Sequence, residues 1–231
     1  MHQISNCVYA DDSLLGMDIP SKRLPNPYHD FPYMIIKNLL TAEECHAITT
    51  AALTDQEVVC AQLRGRALDT AIRKTDIHTL NPEHRTLYEN RFTQIRSKIE
   101  QFFSLSLSYS TDVQVLGYER GGFYLKHSDD SSELRDSNGF TVGFKVVAPE
   151  RRLTTVLFTT SHTSHPSDTD QFSGGELLFN YLCDEEGKMI TVRPEAGDMV
   201  IFLSNPYFSH EVLPIQSGFR LSLVQWHNAH I

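Results

Sequence analysis

Hydrophobic and polar residues alternate with a period of two from residue 111 to the end of the chain. Side chains of a β-strand point alternately to the two faces of a sheet, so this period predicts strands. Turn-forming pairs such as Asn138-Gly139 and Asn205-Pro206 separate the apolar runs. Short strands at this spacing predict a sandwich or a double-sheet jelly roll. The predicted strands cover residues 111–118, 123–129, 140–148, 151–160, 175–181, 188–194, 198–204, 209–215 and 219–227.

Two helices are predicted upstream of these strands. The capping-box pattern from Thr41 to Glu44 predicts a helix that runs to about Leu53. Asn81-Pro82 predicts the start of a second helix, with asparagine as cap and proline in the first turn. Each helix has an apolar face that predicts packing against a sheet. These faces comprise Ala42, Cys45, Ile48, Ala52 and Leu53 in the first helix, and Tyr88, Phe92, Ile95, Ile99 and Phe102 in the second.

The remaining N-terminal residues give weaker signals. Residues 1–30 are polar and contain three prolines, which predicts an irregular arm, and residues 31–36 predict a short strand. Residues 54–80 are ambiguous. Because no linker-like composition interrupts the chain, we expect one domain over residues 1–231, with helical support in 1–110 and a β-core in 111–227. The predicted fold class is mainly β with N-terminal helices (α+β).

Composition narrows the function classes. The 231 residues carry a net charge of −9 with no basic run, so we expect no nucleic-acid partner. No apolar run approaches the ~18 residues of a membrane span, and the N-terminus lacks a signal-peptide pattern. The four cysteines form no CxxC pair, which is typical of a reducing compartment. We therefore expect a soluble cytoplasmic protein, and the sequence does not predict its oligomeric state.

Candidate metal ligands follow the turn at Gly121-Gly122. In a regular strand His127 and Asp129 share one face, and Tyr124 points to the other. An imidazole and a carboxylate two residues apart can bind one metal ion, and His210 is the candidate third ligand. Two histidines and one carboxylate leave coordination positions open. That is the ligand set of non-haem Fe(II) oxygenases.

An arginine in an apolar strand is the second chemical signal. In the strand predicted over residues 219–227, Arg220 shares a face with Ser222 and Trp226, opposite Leu221. Burial of an arginine is costly without an anionic partner, and its planar guanidinium suits a carboxylate. No acidic residue is near in the sequence. The partner is therefore either an acidic residue on a neighbouring strand or a bound ligand.

Short motifs in this half of the chain occur in a fixed order. They are Tyr118-x-x-Gly121-Gly122-Phe123-Tyr124-x-x-His127-x-Asp129, Arg152-Leu153-Thr154, Gly174-Gly175-Glu176-Leu177, Pro194-x-x-Gly197-Asp198, His210-Glu211-Val212-x-Pro214, and Gly218-x-Arg220 to Trp226. In this order they resemble the prolyl 4-hydroxylase branch of the 2-oxoglutarate/Fe(II) dioxygenases. The resemblance covers about residues 111–227, and residues 31–53 are similar to the upstream part of that family.

The resemblance implies a double-stranded β-helix that uses Fe(II), 2-oxoglutarate and O2, with ascorbate as a candidate further cofactor. The distal carboxylate of 2-oxoglutarate would pair with Arg220. Three further residues would line the cosubstrate pocket, namely Tyr118, Ser222 and Trp226. The implied Fe(II) ligands are His127, Asp129 and His210.

The sequence departs from its relatives at two places. Relatives often carry a tyrosine that helps to hold the cosubstrate in the strand after the Arg152 motif. Residues 156–160 contain none, which leaves Thr159 as a candidate hydroxyl. The segment between Asp129 and Arg151 is also long. Residues 130–138 and 161–173 are polar and are predicted to be loops, the first a candidate substrate lid and the second carrying a solvated His162-x-x-His165.

The reaction implied by the resemblance is hydroxylation of an unactivated C–H bond, with succinate and CO2 as co-products. Peptidyl proline is the leading substrate, and a free amino acid or another protein side chain is the alternative. Nucleic-acid demethylases of the superfamily usually carry a second arginine six residues after the first, where this chain has Trp226. A cupin-like zinc or manganese enzyme using the same ligands, and a non-catalytic binding module, are the other classes considered.

Overall fold

The computed structural model describes residues 2–5, 7–10, 32–54, 59–60 and 72–230. The helices in these ranges are α1 (Ala42–Thr54), α2 (Pro82–Phe103) and a short 3-10 helix (Pro206–Phe208), and neither α-helix has the length and apolar character needed to cross a bilayer. The strands are β1 (His2–Ser5), β2 (Val8–Ala10), β3 (Met34–Ile36), β4 (Val59–Cys60), β5 (Arg73–Lys74), β6 (Asp76–His78), β7 (Ser106–Ser110), β8 (Gln114–Tyr118), β9 (Phe123–His127), β10 (Ser131–Arg135), β11 (Thr141–Val146), β12 (Leu153–Phe158), β13 (Ser161–His162), β14 (Gln171–Gly174), β15 (Leu177–Cys183), β16 (Met189–Val192), β17 (Met199–Leu203), β18 (His210–Val212), β19 (Ile215–Gly218) and β20 (Arg220–His230).

Two sheets enclose the interior of the β-core. The larger has the order β3-β17-β12-β20-β8-β6-β4, with β7 also paired to β20, and the smaller has the order β16-β15-β18-β9-β5. Both contribute to one apolar layer, which includes Val156 and Phe202 from the larger sheet and Phe179 and Val212 from the smaller. The predicted double-stranded β-helix with helices in the N-terminal half is confirmed.

Successive side chains of the central strands point alternately to the layer of the helices and to this interior. On β20, Leu221 and Leu223 pack in the layer that contains the helices, whereas Val224 and Trp226 pack in the layer between the sheets. This confirms the predicted parity of the strand. Arg220 shares the parity of Val224, and the residue faces the interior of the β-helix.

Helix α1 begins with the predicted capping box. The Thr41 backbone N–H donates to Glu44 Oε2 at 2.8 Å, and the Glu44 backbone N–H donates to Thr41 Oγ1 at 3.2 Å. Cys45, Ile48 and Ala52 are buried as predicted. The prediction is wrong at the two ends of the face, because Ala42 and Leu53 are exposed and the buried face consists of Cys45, Ile48, Thr49 and Ala52.

Helix α2 supports the larger sheet as its apolar stripe predicts. The Asn81 side chain accepts a hydrogen bond from the His84 backbone N–H, and proline occupies the first turn. Of the five stripe residues, Tyr88, Phe92 and Ile99 are buried, and Ile95 and Phe102 pack partly buried against the same layer. The aromatic ring of Phe92 stacks on the imidazole of His227 with 4.7 Å between centroids.

His227 lies on the helix side of β20, as its parity predicts, and is 0% exposed. Its Nδ1 lies 2.7 Å from Ser110 Oγ and its Nε2 lies 3.0 Å from Thr155 Oγ1. Burial, assisted by the positive charge of Arg96, lowers the pKa of His227 from 6.5 to about 3. The folded protein therefore holds this imidazole neutral in mildly acidic solution.

We expect this burial to make the free energy of unfolding depend on pH. Below about pH 6.5 the unfolded chain protonates His227, whereas the folded chain does so only near pH 3, so stability falls as the pH falls. The contribution is about 1.4 kcal/mol per pH unit. The free energy of unfolding, measured with denaturant at several pH values, should fall less steeply with falling pH in His227→Gln than in the wild type. Equal slopes would contradict the prediction.

Three polar segments that were predicted to be irregular contain strands instead. In the N-terminal arm, β1 and β2 extend a sheet of order β1-β2-β11-β10, while residues 11–31 lie outside the described ranges. The segment 130–138 contains β10, which pairs with β11. The segment 161–173 contains β13 and part of β14. Polar side chains stabilise β10, because Lys126 Nζ lies 2.8 Å from Thr141 Oγ1 and 2.7 Å from Glu133 Oε1.

The ambiguous region before α2 also contributes strands. β4, β5 and β6 lie within residues 54–80, and residues 55–58 and 61–71 lie outside the described ranges. β7 precedes the first strand predicted for the β-core, at residues 111–118, and has no counterpart among the predicted strands. The predicted strand 209–215 is divided into β18 and the start of β19. The assignment of residues 1–231 to one domain stays a prediction.

Candidate metal and cosubstrate site

A β-bulge places the first candidate ligand. β9 pairs antiparallel with β18, with His127 opposite His210 and Tyr124 opposite Val212. Three steps along β9 therefore match two steps along β18, which is the signature of one extra residue in β9. The prediction that Tyr124 points away from His127 is wrong for this reason. The two rings are stacked, with 3.6 Å between their centroids.

The three candidate ligands meet as predicted. One ligand atom from each of His127, Asp129 and His210 lies within 4.8 Å of the others. Asp129 lies between the imidazoles, with Oδ1 3.9 Å from His127 Nε2 and Oδ2 4.0 Å from His210 Nε2. Within the described part of the chain, no other group of three histidine, cysteine, aspartate or glutamate residues is arranged in this way. These separations suit three bonds of ~2 Å to one ion.

Backbone carbonyls fix the orientation of both imidazoles. His127 Nδ1 lies 2.9 Å from the carbonyl oxygen of Leu125, and His210 Nδ1 lies 3.0 Å from that of Phe208. In a neutral imidazole this makes Nδ1 the donor and leaves Nε2 with a free lone pair for a metal. Burial, together with the neighbouring His210, lowers the pKa of His127, which favours the neutral form that a metal requires. The donor set therefore fits a divalent iron ion.

The carboxylate of Asp129 is held by residues of the larger sheet. Thr154 Oγ1 donates to Asp129 Oδ2 at 2.7 Å and lies 2.8 Å from Ser204 Oγ. The indole of Trp226 lies close enough to lower the pKa of Asp129, although its N–H has no hydrogen-bond partner of ordinary geometry. Burial opposes ionisation of Asp129, but the two imidazoles and these donors keep its pKa below the usual value. The carboxylate is therefore anionic and oriented before a metal binds.

We expect Thr154 to support metal binding through Asp129. Thr154→Val removes the hydroxyl that orients the carboxylate and should weaken metal affinity by about 10- to 100-fold. Titration of the metal-free protein with Fe(II) or Mn(II) measures this affinity. Thr155→Val is the matched control, since Thr155 bonds to Tyr88 and His227 on the opposite face of the strand. Equal metal affinities for the two variants would exclude this role of Thr154.

Arg220 is almost fully buried and has no ion pair among the described residues. The side chain is 1% exposed, its guanidinium lies 4.9 Å from the ring centroids of both Tyr118 and Phe158, and its Nε has no hydrogen-bond partner. Nη1 donates to Ser222 Oγ at 3.2 Å. Burial lowers the pKa of Arg220 to about 10, with Tyr118 acting in the opposite direction, so the group stays charged near neutral pH. Such a charge is stabilised by an anionic ligand.

The surroundings of Arg220 settle which hydroxyl accompanies it. Thr159 was a candidate, but its Oγ1 lies 3.0 Å from Thr49 Oγ1 of α1, on the helix side of the sheet. Phe158 lies beside the guanidinium instead, and Ser222 provides the hydroxyl. Gly175 leaves the room for the arginine, because a Cβ there would lie 2.0 Å from Ile215 Cδ1 and 3.2 Å from Arg220 Cδ.

The register of β12 and β20 relates the two parts of the site. Thr154 pairs with Trp226, next to Asp129, and Phe158 pairs with Ser222, next to Arg220. The contact from Arg220 to Ser222 directs the guanidinium along the strand towards the candidate ligands. The predicted residues therefore lie in one interior, with Tyr118, Ser222 and Arg220 together and Trp226 closer to Asp129.

The structure contradicts the prediction for His162 and gives Glu176 a structural role. His162 is not solvated, because its Nε2 lies 3.2 Å from Glu176 Oε1 and its side chain is largely buried. Glu176 also lies 3.6 Å from Arg193 Nε, so it links β13 to the neighbouring segments. This explains the glutamate of the Gly174-Gly175-Glu176 motif by structure rather than by catalysis.

Sequence reasoning missed three residues beside the candidate ligands. Thr154 belongs to a motif that was recognised without a role, and only the strand register brings it to Asp129. Tyr124 was assigned to the wrong face because the bulge leaves no obvious signal in the sequence. Arg73 lies in the ambiguous region before α2, and its guanidinium lies 4.6 Å from the ring centroid of Tyr124.

The interior of the double-stranded β-helix holds two imidazoles and one carboxylate that leave metal positions open. It also holds a buried guanidinium that has no ion pair among the described residues. Together these features define the class of non-haem iron oxygenases that use an acidic cosubstrate. A family model of the 2OG-Fe(II) oxygenase superfamily matches residues 113–228, half of the chain. The chain belongs to this superfamily. It is a 2-oxoglutarate-dependent dioxygenase whose cofactors are Fe(II), 2-oxoglutarate and O2. A requirement for ascorbate stays a prediction.

Individual relatives assign the chain to the prolyl 4-hydroxylase-like branch. Probable prolyl 4-hydroxylase 8 of Arabidopsis thaliana is 27% identical over 221 residues, which cover 85% of this chain and 68% of that protein. A crystal structure of a prolyl-4-hydroxylase from Pseudomonas putida is 26% identical, has a TM-score of 0.61, and is matched over 87% of this chain and 95% of its own. A Trichoplax adhaerens prolyl hydroxylase, solved with a hypoxia inducible factor peptide fragment, shares the fold, with a TM-score of 0.60 at 19% identity and coverage of 88% and 86%.

Proposed function

We propose that the protein hydroxylates a prolyl residue of a peptide at an unactivated C–H bond and releases succinate and CO2. His127, Asp129 and His210 would hold Fe(II), and Arg220 would bind the distal carboxylate of 2-oxoglutarate. The similarity to named prolyl hydroxylases from Arabidopsis thaliana and Pseudomonas putida supports the choice of proline. The peptide bound to the Trichoplax adhaerens enzyme supports a peptide rather than a free amino acid.

One observation carries this proposal, namely that Arg220 is buried in the same interior as the candidate ligands and has no ion pair among the described residues. A cupin-like zinc or manganese enzyme has no need of this unpaired charge, and a binding module has no need of the three ligands. The family assignment agrees with the oxygenase. Neither alternative class therefore explains both features.

The bound iron, cosubstrate and O2 supply the oxidising chemistry. The contribution of the chain is to bind and to orient. The Leu125 and Phe208 carbonyls hold the imidazoles with Nε2 towards the ion, and Thr154 orients the carboxylate of Asp129. Arg220 and Ser222 would align the cosubstrate by a charge-assisted hydrogen bond and a hydroxyl contact. No general base is needed.

Proline-containing peptides and free amino acids, incubated with the Fe(II)-loaded enzyme, 2-oxoglutarate and O2, test the proposal. We expect succinate release coupled to the gain of one oxygen atom by a prolyl residue, detected by mass spectrometry. The zinc-loaded protein is the control, since zinc binds the same ligands but does not undergo redox chemistry. Coupled oxidation of a free amino acid or of another side chain, with the prolyl peptides unchanged, would replace proline as the substrate.

Two wider assignments belong to the same proposal. We propose that residues 1–231 form one domain and that the protein acts in the cytoplasm. Cys7, Cys45 and Cys183 are free thiols, which agrees with a reducing compartment. Fractionation of the producing cells and limited proteolysis of the purified protein test these two assignments.

A further inference from the structure

Arg73 is the second deeply buried arginine near the candidate site. It lies on β5, the edge strand that pairs with β9, and its side chain is 8% exposed. Among the described residues, its Nε and Nη2 atoms have no hydrogen-bond partner, and no carboxylate forms an ion pair with it. The guanidinium lies 4.6 Å from the ring centroid of Tyr124, which itself stacks on the imidazole of His127.

The unpaired state of Arg73 contrasts with other arginines of the chain. Arg85, Arg91 and Arg96 are each paired with a carboxylate, although their side chains are 38%, 34% and 46% exposed and have water available. A buried guanidinium without such a partner is costly, so a protein keeps one mainly where an anion arrives. Burial and missing partners thus give Arg73 the same character as Arg220.

The two arginines differ in location. Arg220 points into the interior between the sheets, where it contacts Tyr118 and Phe158. Arg73 lies at the edge of the smaller sheet, where its guanidinium contacts Tyr124, the ring that stacks on His127. An acidic cosubstrate that occupies the interior therefore leaves Arg73 available to a second molecule that enters beside His127.

We propose that Arg73 binds a carboxylate of the primary substrate and thereby positions its target C–H bond at the metal. This inference rests on the proposed hydroxylase function and adds the class of the substrate, which carries a negative charge near the target carbon. The planar guanidinium can make two parallel hydrogen bonds to such a group. The cation–π contact with the Tyr124 ring holds the guanidinium in position. Arg73 is a positioning residue, since it does not touch the metal.

The carboxylate can have two sources. It is either a terminal carboxylate, of a free amino acid or of the C-terminus of a peptide, or the side chain of an acidic residue near the target proline. Three pairs of probes separate these sources. In each pair one compound has a carboxylate where the other has an amide of similar shape. They are L-proline and L-prolinamide, a proline-rich peptide with a free or an amidated C-terminus, and a peptide with Asp or Asn next to proline.

Equilibrium binding of these probes to the protein loaded with Zn(II) and 2-oxoglutarate tests the proposal without turnover. We expect the wild type to bind the acid of at least one pair about 10- to 100-fold more tightly than its amide. Arg73→Gln should abolish this preference, and Arg73→Lys should keep part of it, because the ammonium is charged but cannot form the double contact. Lys74→Gln, an exposed neighbour on the same strand, should bind like the wild type.

Retained 2-oxoglutarate binding by Arg73→Gln shows that the variant is folded and that Arg73 does not anchor the cosubstrate. The inference is overturned if the wild type shows no acid preference in any pair, including no binding at all. It is also overturned if Arg73→Gln keeps the preference or loses 2-oxoglutarate binding. A wild-type protein that fails to bind 2-oxoglutarate would refute the proposed function instead.

Discussion

Replacement of Asp129 by alanine should lower Fe(II) affinity by more than about 100-fold and abolish turnover. Loss of an outer contact to a ligand weakens metal binding by about 10- to 100-fold, and loss of the ligand itself should exceed that. Asp129 is also the only negatively charged ligand of the triad, so two neutral imidazoles would remain in the variant. Metal titration and coupled succinate release measure the two effects.

A neighbouring carboxylate provides the control for this variant. Asp130 is buried too, but its Oδ1 accepts hydrogen bonds from the hydroxyls of Ser128 and Ser131. Asp130→Asn keeps that acceptor oxygen and should retain metal affinity and turnover. If Asp130→Asn lost the metal and Asp129→Ala kept it, the ligand assignment would be wrong.

Replacement of Arg220 by methionine should remove 2-oxoglutarate binding while metal affinity is unchanged. Truncation of one partner of a buried, hydrogen-bonded charge pair costs about 2 to 5 kcal/mol, or roughly 30- to several-thousand-fold in affinity. Arg220→Lys should lose less, because it keeps the charge without the planar fork. Calorimetric titration of the zinc-loaded variants with 2-oxoglutarate measures the loss.

The Arg220→Met variant should lose cosubstrate binding without losing folding stability. Without cosubstrate, the wild type carries a guanidinium that is 1% exposed and has no ion pair among the described residues, and methionine fills a similar volume without that charge. We therefore expect the thermal unfolding temperature of Arg220→Met to be equal to or higher than that of the cosubstrate-free wild type. A clear loss of stability would mean that Arg220 is paired with an acidic group of the protein itself.

Much of the fold follows from local patterns in the sequence. Three such features depend on residues a few positions apart, namely the capping box of α1, the stripe of α2 and the parity of β20. The structure confirms each of them. The polar strand β10 was missed because its polar side chains find partners on other strands, such as Lys126 of β9 for Glu133. A period of two cannot show those partners.

The residues of the candidate site also divide into those that local sequence patterns reveal and those that depend on pairing with distant strands. The two histidines, the aspartate and Arg220 could be found because their residue types are chemically unusual in apolar strands. Tyr124 and Arg73 could not, since their positions depend on a bulge and on the pairing of a short edge strand with β9. Non-local pairing thus decides which side chains surround the candidate ligands.

The extra residue in β9 has a consequence for comparisons among homologues. In a strand without it, an aromatic that stacks on the corresponding histidine would precede that histidine by two positions, whereas Tyr124 precedes His127 by three. In a homologue that lacked the bulge, a pattern search with this fixed spacing would align Tyr124 with an outward-facing residue. A gap placed inside the strand restores the equivalence, although gaps are normally confined to loops.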